Sequence, residues 1–599
     1  MRAIPVKTAT AVNWYIVEDI KSDGKRSTKT IKKLGSEDSI MKQNNLTSDA
    51  DFKQWLAQMV AECDPEKRAS YSNISLSFSQ DRRIMPDQQR SVSTGYLFLQ
   101  KIFHGLSLDL ICRKIDRQHR FGFDLAPVLA HMLYSRILDP SSYRSAYDFA
   151  KTLPEPPEYQ QHQMYRALSE LSAHFYDIQA EVYRYSKEYI DRKTGVLYYD
   201  VTNFFFEIEQ EEDDKEYGAG KEHRPNPIIQ MGLMMDYSGL PLAITVFNGS
   251  GNEQPSLIPL EQKIMDEFPL SKFIICTDAG LCSEANKQFN NVKHKRFITT
   301  HPVKKMDKEL KEWALNPDGW RLEGEAPGPD GKPILHNIAE IEDTPENLEK
   351  LFYKENWIPG YDEERDVPFD QTITVTFSLK YRNYQRMVRN RQIERAQKLL
   401  ESNPRKTDRK KATDFKRLVK KTTVTKEGEI ATQDVYTLNH ELILEEERYD
   451  GFYGLATNLK DDISTILRVA RGRWEIEESF RIMKTDFLAR PVYVKRRDRI
   501  RAHFLVCFLA LLFYRILEHK LDEKYTVSQI LNTLRGMQMS IFQSDNSNVY
   551  VPSYTRTQLT DDLHRWAGFE TDREIITQRS MSGIIRKSKE RNTAQPRNK

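Results

Sequence analysis

Hydrophobic and polar residues alternate with different periods along this chain, and the changes of period separate its regions. Between residues 1 and 40 the segments NWYIVEDI and STKTIKKLG flank the turn SDGK, which is typical of a small β meander. From 91 to 193 the period becomes helical, as in TGYLFLQKIFHGLSLDLICRKI and DLAPVLAHMLYSRILDP. The pattern therefore predicts a small N-terminal β region with a linker (1–90) and a helical domain (91–193).

A strand pattern begins at residue 194 and then alternates with helical segments. GVLYYDVTNFFFEIE, PIIQMGLMMD and PLAITVFNGS predict three strands. An amphipathic helix, the buried strand KFIICTDAG, a short helix and the strand KRFITTH follow. The order β-β-β-α-β-α-β predicts an α/β fold with a partly parallel sheet.

A segment with a different residue pattern, 301–449, separates this unit from the strand RYDGFYGLATNL, which we expect to return to the same sheet. We therefore interpret 301–449 as a largely β insertion between two parts of one core, 194–300 and 450–540. Residues 541–599 form a C-terminal region with a basic tail. The apolar run FLVCFLALLFY at 504–514 is far shorter than the ~20 residues that span a bilayer, so it predicts a buried helix and no membrane partner.

Composition adds little to this outline until the distribution of charge is considered. The 599 residues are 39% hydrophobic and 30% charged, and a net charge of +3 favours no class of partner. Five scattered cysteines do not suit a disulfide framework or a paired-cysteine zinc site, and the N-terminus has no apolar run of the signal-peptide type. Both observations predict a cytoplasmic protein. The exception in charge is the segment 380–421, here called the basic tract, with 16 Lys or Arg against 4 Asp or Glu.

Two aspartates lie in predicted strands at positions that suit a functional site. Asp200 is within an apolar strand, where a carboxylate is costly unless it is paired, hydrogen-bonded or bound to a metal. Thr202, two residues on, faces the same side and could support it. Asp278 follows FIICT, and sites form at the carboxyl ends of strands in α/β sheets. Each also has a structural explanation: Asp200 could accept backbone hydrogen bonds at a strand end, and Asp278 could cap the next helix.

The segment RGRWEIEESFRIMK at 471–484 offers three glutamates for a third acidic position. With Arg473 at zero and a rotation of about 100° per residue, Glu477 falls at about 40° and Lys484 at about 20°. Glu475 falls at about 200° and Glu478 at about 140°. Glu477 therefore shares one face with two cations, with Arg481 at its edge. Such a face suits phosphate binding around a metal, and it equally suits an ion-pair ladder on the surface.

The tryptophans are interpreted as packing residues. Trp474 adjoins this face in sequence but points away from it, so we expect it to be packed. Trp320, in PDGWRLEG, could stack on an extruded base, but we favour a place in the core of the insertion.

These motifs together resemble the DDE transposases. Asp200, Asp278 and Glu477 look like their catalytic triad, and Arg-x3-Glu-x6-Lys at 473–484 is similar to the end of the Tyr-x2-Arg-x3-Glu-x6-Lys signature of a large group of bacterial insertion-sequence transposases. YYDVTNFFFE, TDAGLCSEAN and RWEIEESFRIMKTDFLARPVYV carry the likeness, which covers roughly 194–300 and 450–515. The tyrosine of the signature corresponds to Ala470, a departure from the pattern of the group.

The resemblance implies a ribonuclease-H-like core and a metal-dependent enzyme. The triad would hold two Mg²⁺ ions, for which Mn²⁺ would substitute, and an in-line phosphoryl transfer would cleave and then join DNA strands. The expected partners are double-stranded DNA, as terminal inverted repeats and as target DNA, and a second copy of the chain in a homodimer on paired ends. The expected location is the cytoplasm of a bacterium or archaeon, at the nucleoid.

The resemblance also assigns DNA-binding roles. Arg473, Arg481 and Lys484 would bind DNA beside the triad. The resemblance hardly extends to 91–193; we expect its helices to recognise the ends, although their periodicity equally fits a plain helical spacer. Beside such a core we expect the basic tract to contact phosphate, with a solvated linker as the alternative. Its candidate phosphate-binding residues are Arg405, Lys406, Arg409, Lys410 and Lys411. Two rival functions stay open: a ribonuclease-H-like DNA nuclease that does not join strands, and a non-catalytic, DNA-binding transposase remnant.

Overall fold

The computed structural model describes residues 2–591, apart from 8–11, 23–24, 45, 47–50, 54, 57–58, 61–62, 64–75, 77, 82, 120–121, 219–225, 269, 271, 293–294, 364, 403–413, 425–432 and 545–546. The chain forms two compact units. The smaller comprises Met1–Arg90, Ser540–Val551 and Arg573–Ser580, and the larger comprises Ser91–Met539, Pro552–Asp572 and Met581–Lys599.

The helices and strands are numbered in chain order. Before the core come β1 (Arg2–Lys7), β2 (Val12–Ser22), β3 (Lys25–Ser36), α1 (Glu37–Gln43), β4 (Ser91–Ser93), α2 (Tyr96–Gly105), α3 (Leu108–Gln118), α4 (Leu125–Leu138), α5 (Tyr143–Ala150), α6 (Gln161–Ala173) and α7 (Phe175–Tyr189). The first part of the core contains β5 (Val196–Phe205), β6 (Ile228–Asp236), β7 (Pro241–Asn248), α8 (Leu257–Glu267), β8 (Phe273–Thr277), α9 (Glu284–Phe289) and β9 (Lys295–Thr300).

The insertion and the C-terminal half continue this order. The insertion contains α10 (Lys308–Leu315), β10 (Arg321–Leu322), α11 (Pro345–Leu348), β11 (Phe352–Ile358), β12 (Tyr361–Asp362), β13 (Val367–Pro368), β14 (Gln371–Phe377), α12 (Leu379–Ser402), β15 (Val419–Val424), β16 (Gln433–Leu438) and α13 (His440–Glu447). After it come β17 (Phe452–Thr457), α14 (Ile463–Arg471), α15 (Trp474–Arg481), α16 (Arg497–Lys520), α17 (Val527–Gly536), β18 (Gln538–Ser544), β19 (Ser547–Pro552), α18 (Gln558–Ala567), β20 (Ile576–Thr577) and α19 (Gln578–Ser588).

The smaller unit is built on the antiparallel sheet β1-β2-β3. Ile40, Phe52 and Leu56 form its buried core. The predicted β meander at the N-terminus is therefore confirmed, with Ser22 at the end of β2 paired to Lys25 at the start of β3.

The larger unit contains a nine-stranded sheet, whose strand order is β10-β11-β14-β17-β9-β8-β5-β6-β7. β5, β6 and β7 pair antiparallel, whereas β8 pairs parallel with β5, and β9 parallel with β8. β5 and β6 are buried along almost their whole length, and burial on both faces explains why their sequences are continuous apolar runs. The order β9-β8-β5-β6-β7 is the ribonuclease-H-like arrangement that the sequence predicted.

The insertion is not separate from this sheet. β11 and β14 continue the sheet beyond β17, so the insertion supplies strands to the core. The remainder includes the 24-residue helix α12 and the antiparallel pair β15-β16. A period-two pattern such as QTITVTF in β14 indicates a strand, but it carries no information about which sheet the strand joins.

The apolar run at 504–514 lies in α16, which has 24 residues and is therefore longer than the run itself. This helix is long and apolar enough to cross a membrane by length and composition, but 94% of its most apolar window is buried inside the protein. It packs against α4 and α6 of the helical region and against β7. The prediction of a buried helix is confirmed.

Candidate active site

Asp200 and Asp278 lie at neighbouring positions on two paired parallel strands, Asp200 within β5 and Asp278 just after β8. β5 and β8 pair with Tyr199 opposite Thr277, so the next residue on each strand is one of the two aspartates. Asp200 is buried and Asp278 half-buried. The register of a parallel pair, rather than nearness in sequence, brings these carboxylates together.

Asp278 is held by the backbone that follows it. Its Oδ1 accepts hydrogen bonds from the N–H groups of Gly280 (2.9 Å) and Leu281 (3.2 Å), and its carbonyl oxygen accepts one from Thr299 Oγ1 (3.2 Å). The N-cap of α9 is Ser283, whose hydroxyl accepts a hydrogen bond from the N–H of Asn286. The alternative of Asp278 as the cap of the next helix is therefore wrong.

Asp200 lies inside β5, not at its end, because the strand continues to Phe205. Its Oδ1 accepts from the N–H of Val201 at 2.7 Å. Two residues on, Thr202 is buried and its hydroxyl accepts a hydrogen bond of 2.6 Å from Lys484 Nζ. Thr202 thus connects the strand of Asp200 to the end of the glutamate segment, and Lys484 is held at the site by this bond.

The three glutamates of α15 have different partners. Glu475 and Glu478 each lie 3.3 Å from the guanidinium of Arg515, a residue of α16 whose side chain is only 4% exposed. Glu477 instead pairs with Arg473 at 3.3 Å, and its side chain is 60% exposed. The helix phase inferred from the sequence is therefore the one observed, with Glu477 on the cationic face.

Arg473 pairs with Glu477 at 3.3 Å and lies within electrostatic range of Asp200 and Asp278. Burial lowers the pKa of Arg473, but Tyr453 and the carboxylates of Glu477, Asp200 and Asp278 raise it above its ordinary value. The packing of α15 against β5 brings Arg473 and Glu477 to the strand of Asp200. The residues are separated widely in sequence, and only the tertiary structure assembles them.

A further acidic residue, Glu253, lies beside Asp278, and no sequence pattern marked it. A Cβ added to Gly280 would lie 3.2 Å from Asp278 Oδ1 and 3.7 Å from Glu253 Oε2, so both carboxylates line the space beside this glycine. Glu253 lies in the loop that follows β7, in a GNEQPS segment with no period to mark it. A residue of this kind becomes visible only when the loop is placed against the end of β8.

The carboxylates suit a hard divalent cation, since Mg²⁺ and Mn²⁺ prefer oxygen ligands. Asp200, Asp278 and Glu477 do not all have oxygens within 4.8 Å of one another. Glu477 is paired with Arg473. Among the described residues, one cluster of acidic and histidine side chains has its possible ligand atoms within 4.8 Å of one another. It consists of Asp561, His564 and Asp572.

That compact group is already neutralised by a cation of the chain. Arg556 Nε lies 2.7 Å from Asp561 Oδ1 and 3.3 Å from Asp572 Oδ2. His564 Nε2 accepts a hydrogen bond from the N–H of Thr571. We therefore interpret it as a structural network and not as a metal site.

The remaining predicted residues are placed as follows. Arg481 pairs with Glu478 (3.3 Å) and Asp486 (3.5 Å) and is half exposed, so it belongs to a surface ladder of ion pairs rather than to the carboxylate cluster. The five candidate phosphate contacts of the basic tract, Arg405, Lys406, Arg409, Lys410 and Lys411, lie outside the described residues.

The two tryptophans differ in outcome. Trp320 is fully buried among Phe377 and Phe452, which confirms its place in the core. Trp474 is 57% exposed, so the expectation that it is packed is wrong. Helix phase showed correctly that it points off the catalytic face, but phase alone does not show whether another element covers that side.

Comparison with known proteins gives a match to one family model and to distant solved structures. A family model described as "Transposase DDE domain" matches residues 193–513, a span that contains all three candidate carboxylates. A structure of a piggyBac transposase synaptic complex with hairpin DNA is 8% identical, covering 74% of this chain and 78% of that one with a TM-score of 0.33. A Mos1 mariner paired-end complex with Mn is 11% identical, covering 43% and 74%, with a TM-score of 0.13.

No curated protein sequence matches the chain. The two solved structures are distant from it, so the assignment of a family rests on the family model.

Proposed function

The chain belongs to the DDE transposase family, and from this premise we propose that it cleaves DNA at the terminal inverted repeats of its mobile element and joins the freed 3′ ends to target DNA. The observation that carries the proposal is the register of β5 with β8, which sets Asp200 beside Asp278 within the span that matches the family. The hydrogen bond from Lys484 to Thr202 holds the glutamate segment against the strand of Asp200. Family membership supports transposase activity in general, and this cluster supports a specific chemistry.

We propose that these carboxylates hold two divalent cations, Mg²⁺ with Mn²⁺ as a substitute. Asp200, Asp278 and Glu477 would hold them, and Glu253 lies beside Asp278. Such ions supply activation of a water or a 3′-hydroxyl and stabilisation of the leaving oxygen in an in-line displacement. The binding residues present oxygen atoms only, which is the ligand chemistry that these ions require.

The protein side chains prepare this cluster for an anionic substrate. Two backbone N–H groups fix the Asp278 carboxylate without using a cation. Arg473 places one positive charge near the three acids, which lessens the repulsion among them. Lys484, anchored on Thr202, adds a second positive charge at the same place. We propose that these two cations contact phosphates of the DNA near the cleaved bond.

Glu475 offers a matched control for Glu477 because it lies on the same helix and pairs with Arg515 instead. The experiment compares Glu477→Gln, Glu475→Gln and the unmodified chain on a supercoiled plasmid that carries the DNA flanking the gene, with Mg²⁺ or Mn²⁺ added. We expect Glu477→Gln to abolish both nicking and joining while DNA binding is retained. Glu475→Gln should nick and join.

Each rival function has its own outcome in this assay. Nicking without joined products would support the nuclease. Binding without metal-dependent nicking by the unmodified chain would support the non-catalytic remnant. Retained cleavage by Glu477→Gln would overturn the assignment of Glu477. Mass measurement of the protein on paired ends tests the proposed homodimer.

A further inference from the structure

The cations of the basic tract have different environments along α12. Arg389 makes two hydrogen bonds to Asp450, Arg386 lies 3.7 Å from the same carboxylate, and Arg382 pairs with Asp343 at 2.9 Å. These arginines hold the helix to its neighbours. Their charge is partly offset by these carboxylates, so the excess counted from the sequence overstates what the tract offers to a partner.

The paired arginines lie on the packed side of α12. With Tyr384 at zero and about 100° per residue, Ala396 falls at about 120°, Leu400 at about 160° and Ile393 at about 180°. These apolar residues pack on Leu418, Val419 and Ile443. Arg389 at about 140°, Arg382 at about 160° and Arg386 at about 200° share that side.

The opposite side of α12 carries a different set of residues, here called the α12 stripe: Tyr384, Met387, Arg391, Arg395 and Lys398. They fall within about 80° of one another, between about 300° and 20°, and extend along about 21 Å of the helix. Tyr384 is 57% and Met387 43% exposed, and the three cations are exposed as well. No acidic residue in the described ranges forms an ion pair with any of these three cations.

The acidic residues near the stripe lie at its border. Glu394 and Glu401 fall at about 280° and 260°, beyond Met387. Lys380 falls on the same side as the stripe, but it is paired with Glu349 at 2.8 Å. Positive charge is therefore concentrated from Arg391 to Lys398.

We propose that the α12 stripe binds the phosphate backbone of duplex DNA, an inference that rests on the proposed function. A row of cations that pairs with no acidic residue of the described ranges complements a duplex, which carries one negative charge per about 1.7 Å of its axis. Arginine, lysine and tyrosine side chains all donate hydrogen bonds to phosphate. The stripe binds without reading sequence, because phosphate contacts position a protein and base contacts specify the site. The contact surface is thus the outer face of α12, and it does not depend on Arg405–Lys411.

The test measures the salt dependence of binding to a duplex of unrelated sequence, by fluorescence anisotropy with EDTA present so that cleavage does not contribute. The variant Arg391→Gln, Arg395→Gln, Lys398→Gln should bind more weakly. Its log–log slope against salt should fall by about 0.9 for each lost contact, or about 2.7 for all three. The variant Arg391→Lys, Arg395→Lys, Lys398→Arg keeps the charges and should keep the slope.

A second control removes the same charge elsewhere in the larger unit. Lys272, Lys308 and Lys332 are exposed, and their triple change to Gln should leave the slope unchanged. An unchanged slope in the stripe variant would show a solvated surface and overturn the proposal. An equal fall in both triple variants would show a general charge effect and overturn it too. A loss of dimer mass with normal DNA binding would identify an interface between copies and would also overturn it.

Failure of this inference can be told apart from failure of the proposed function. If the stripe variant nicks DNA at low salt and has the wild-type slope, only the stripe is refuted. If its slope falls but the unmodified chain does not nick DNA with Mg²⁺, only the proposed cleavage is refuted.

Discussion

Arg515 connects the catalytic helix to the central helix of the protein, and its removal should be costly. Its guanidinium lies 3.3 Å from Glu475 and Glu478 of α15 and 2.7 Å from Glu518 of α16. It also donates to Ser479 Oγ at 3.0 Å. Replacement by methionine, Arg515→Met, keeps much of the side-chain volume but leaves three carboxylates without their shared cation.

The magnitude follows from the burial of the group. Removing one partner of a buried ion pair costs about 3–5 kcal/mol, because the other charge is left uncompensated. The three acids are between 15% and 27% exposed, so water relieves part of this penalty. We therefore expect the lower end, about 3 kcal/mol of unfolding free energy at neutral pH.

The loss should depend on pH. Burial raises the pKa of Glu475, and Arg515 opposes that rise, so the pKa rises further in the variant. A carboxyl whose pKa is raised by folding contributes stability that is complete below its unfolded pKa, about 4.3, and is lost as the pH rises through the folded value. The destabilisation of Arg515→Met should therefore be smallest at about pH 4 and grow toward neutral pH.

The assay is urea unfolding of the larger unit, followed by circular dichroism at several pH values. Arg481→Gln is the matched control, since Arg481 also pairs with Glu478 but is half exposed, and it should cost less than about 1 kcal/mol. The triple variant Arg515→Met, Glu475→Gln, Glu478→Gln should recover part of the loss. Equal stability of Arg515→Met and the unmodified chain at neutral pH would refute the reasoning, as would a loss that does not change with pH.

Three further predictions concern the site and its supporting sheet. Gly280→Ala places a Cβ 3.2 Å from Asp278 Oδ1. Metal-dependent nicking should therefore fall at least tenfold, or about 1.4 kcal/mol, while the melting temperature changes little. Nicking at the wild-type rate would contradict this prediction. Lys484→Met removes the donor to Thr202, so DNA affinity in EDTA should fall while Mn²⁺ binding, measured by calorimetry, is retained; equal DNA affinity would refute a phosphate role. Burial raises the pKa of Glu261 to about 7, so its contribution to stability is complete below about pH 4.3 and lost as the pH rises to about 7. Glu261→Gln should remove that part of the pH dependence of urea unfolding, and an unchanged pH profile would count against it.

Periodicity in the sequence determined the elements that carry the site. The apolar strands of Asp200 and Asp278 and the buried helix α16 were identified because burial selects residues at regular local spacing. The face of Glu477 was also determined locally, since the helical rotation is the same whatever surrounds the helix. For these features neighbouring residues contain all of the necessary information.

The tertiary structure decided what depends on distant parts of the chain. The pairing of β5 with β8 set Asp200 beside Asp278, and the loop after β7 brought Glu253 to the same place. Trp474 was left exposed because the described elements do not cover its side of α15. The basic tract lost part of its apparent charge to carboxylates such as Asp450, more than 60 residues away in sequence. The number of charged residues and the helical phase of each residue follow from the sequence. Whether a charge is neutralised or a side chain is buried depends on its neighbours in space, and those neighbours are determined by tertiary packing.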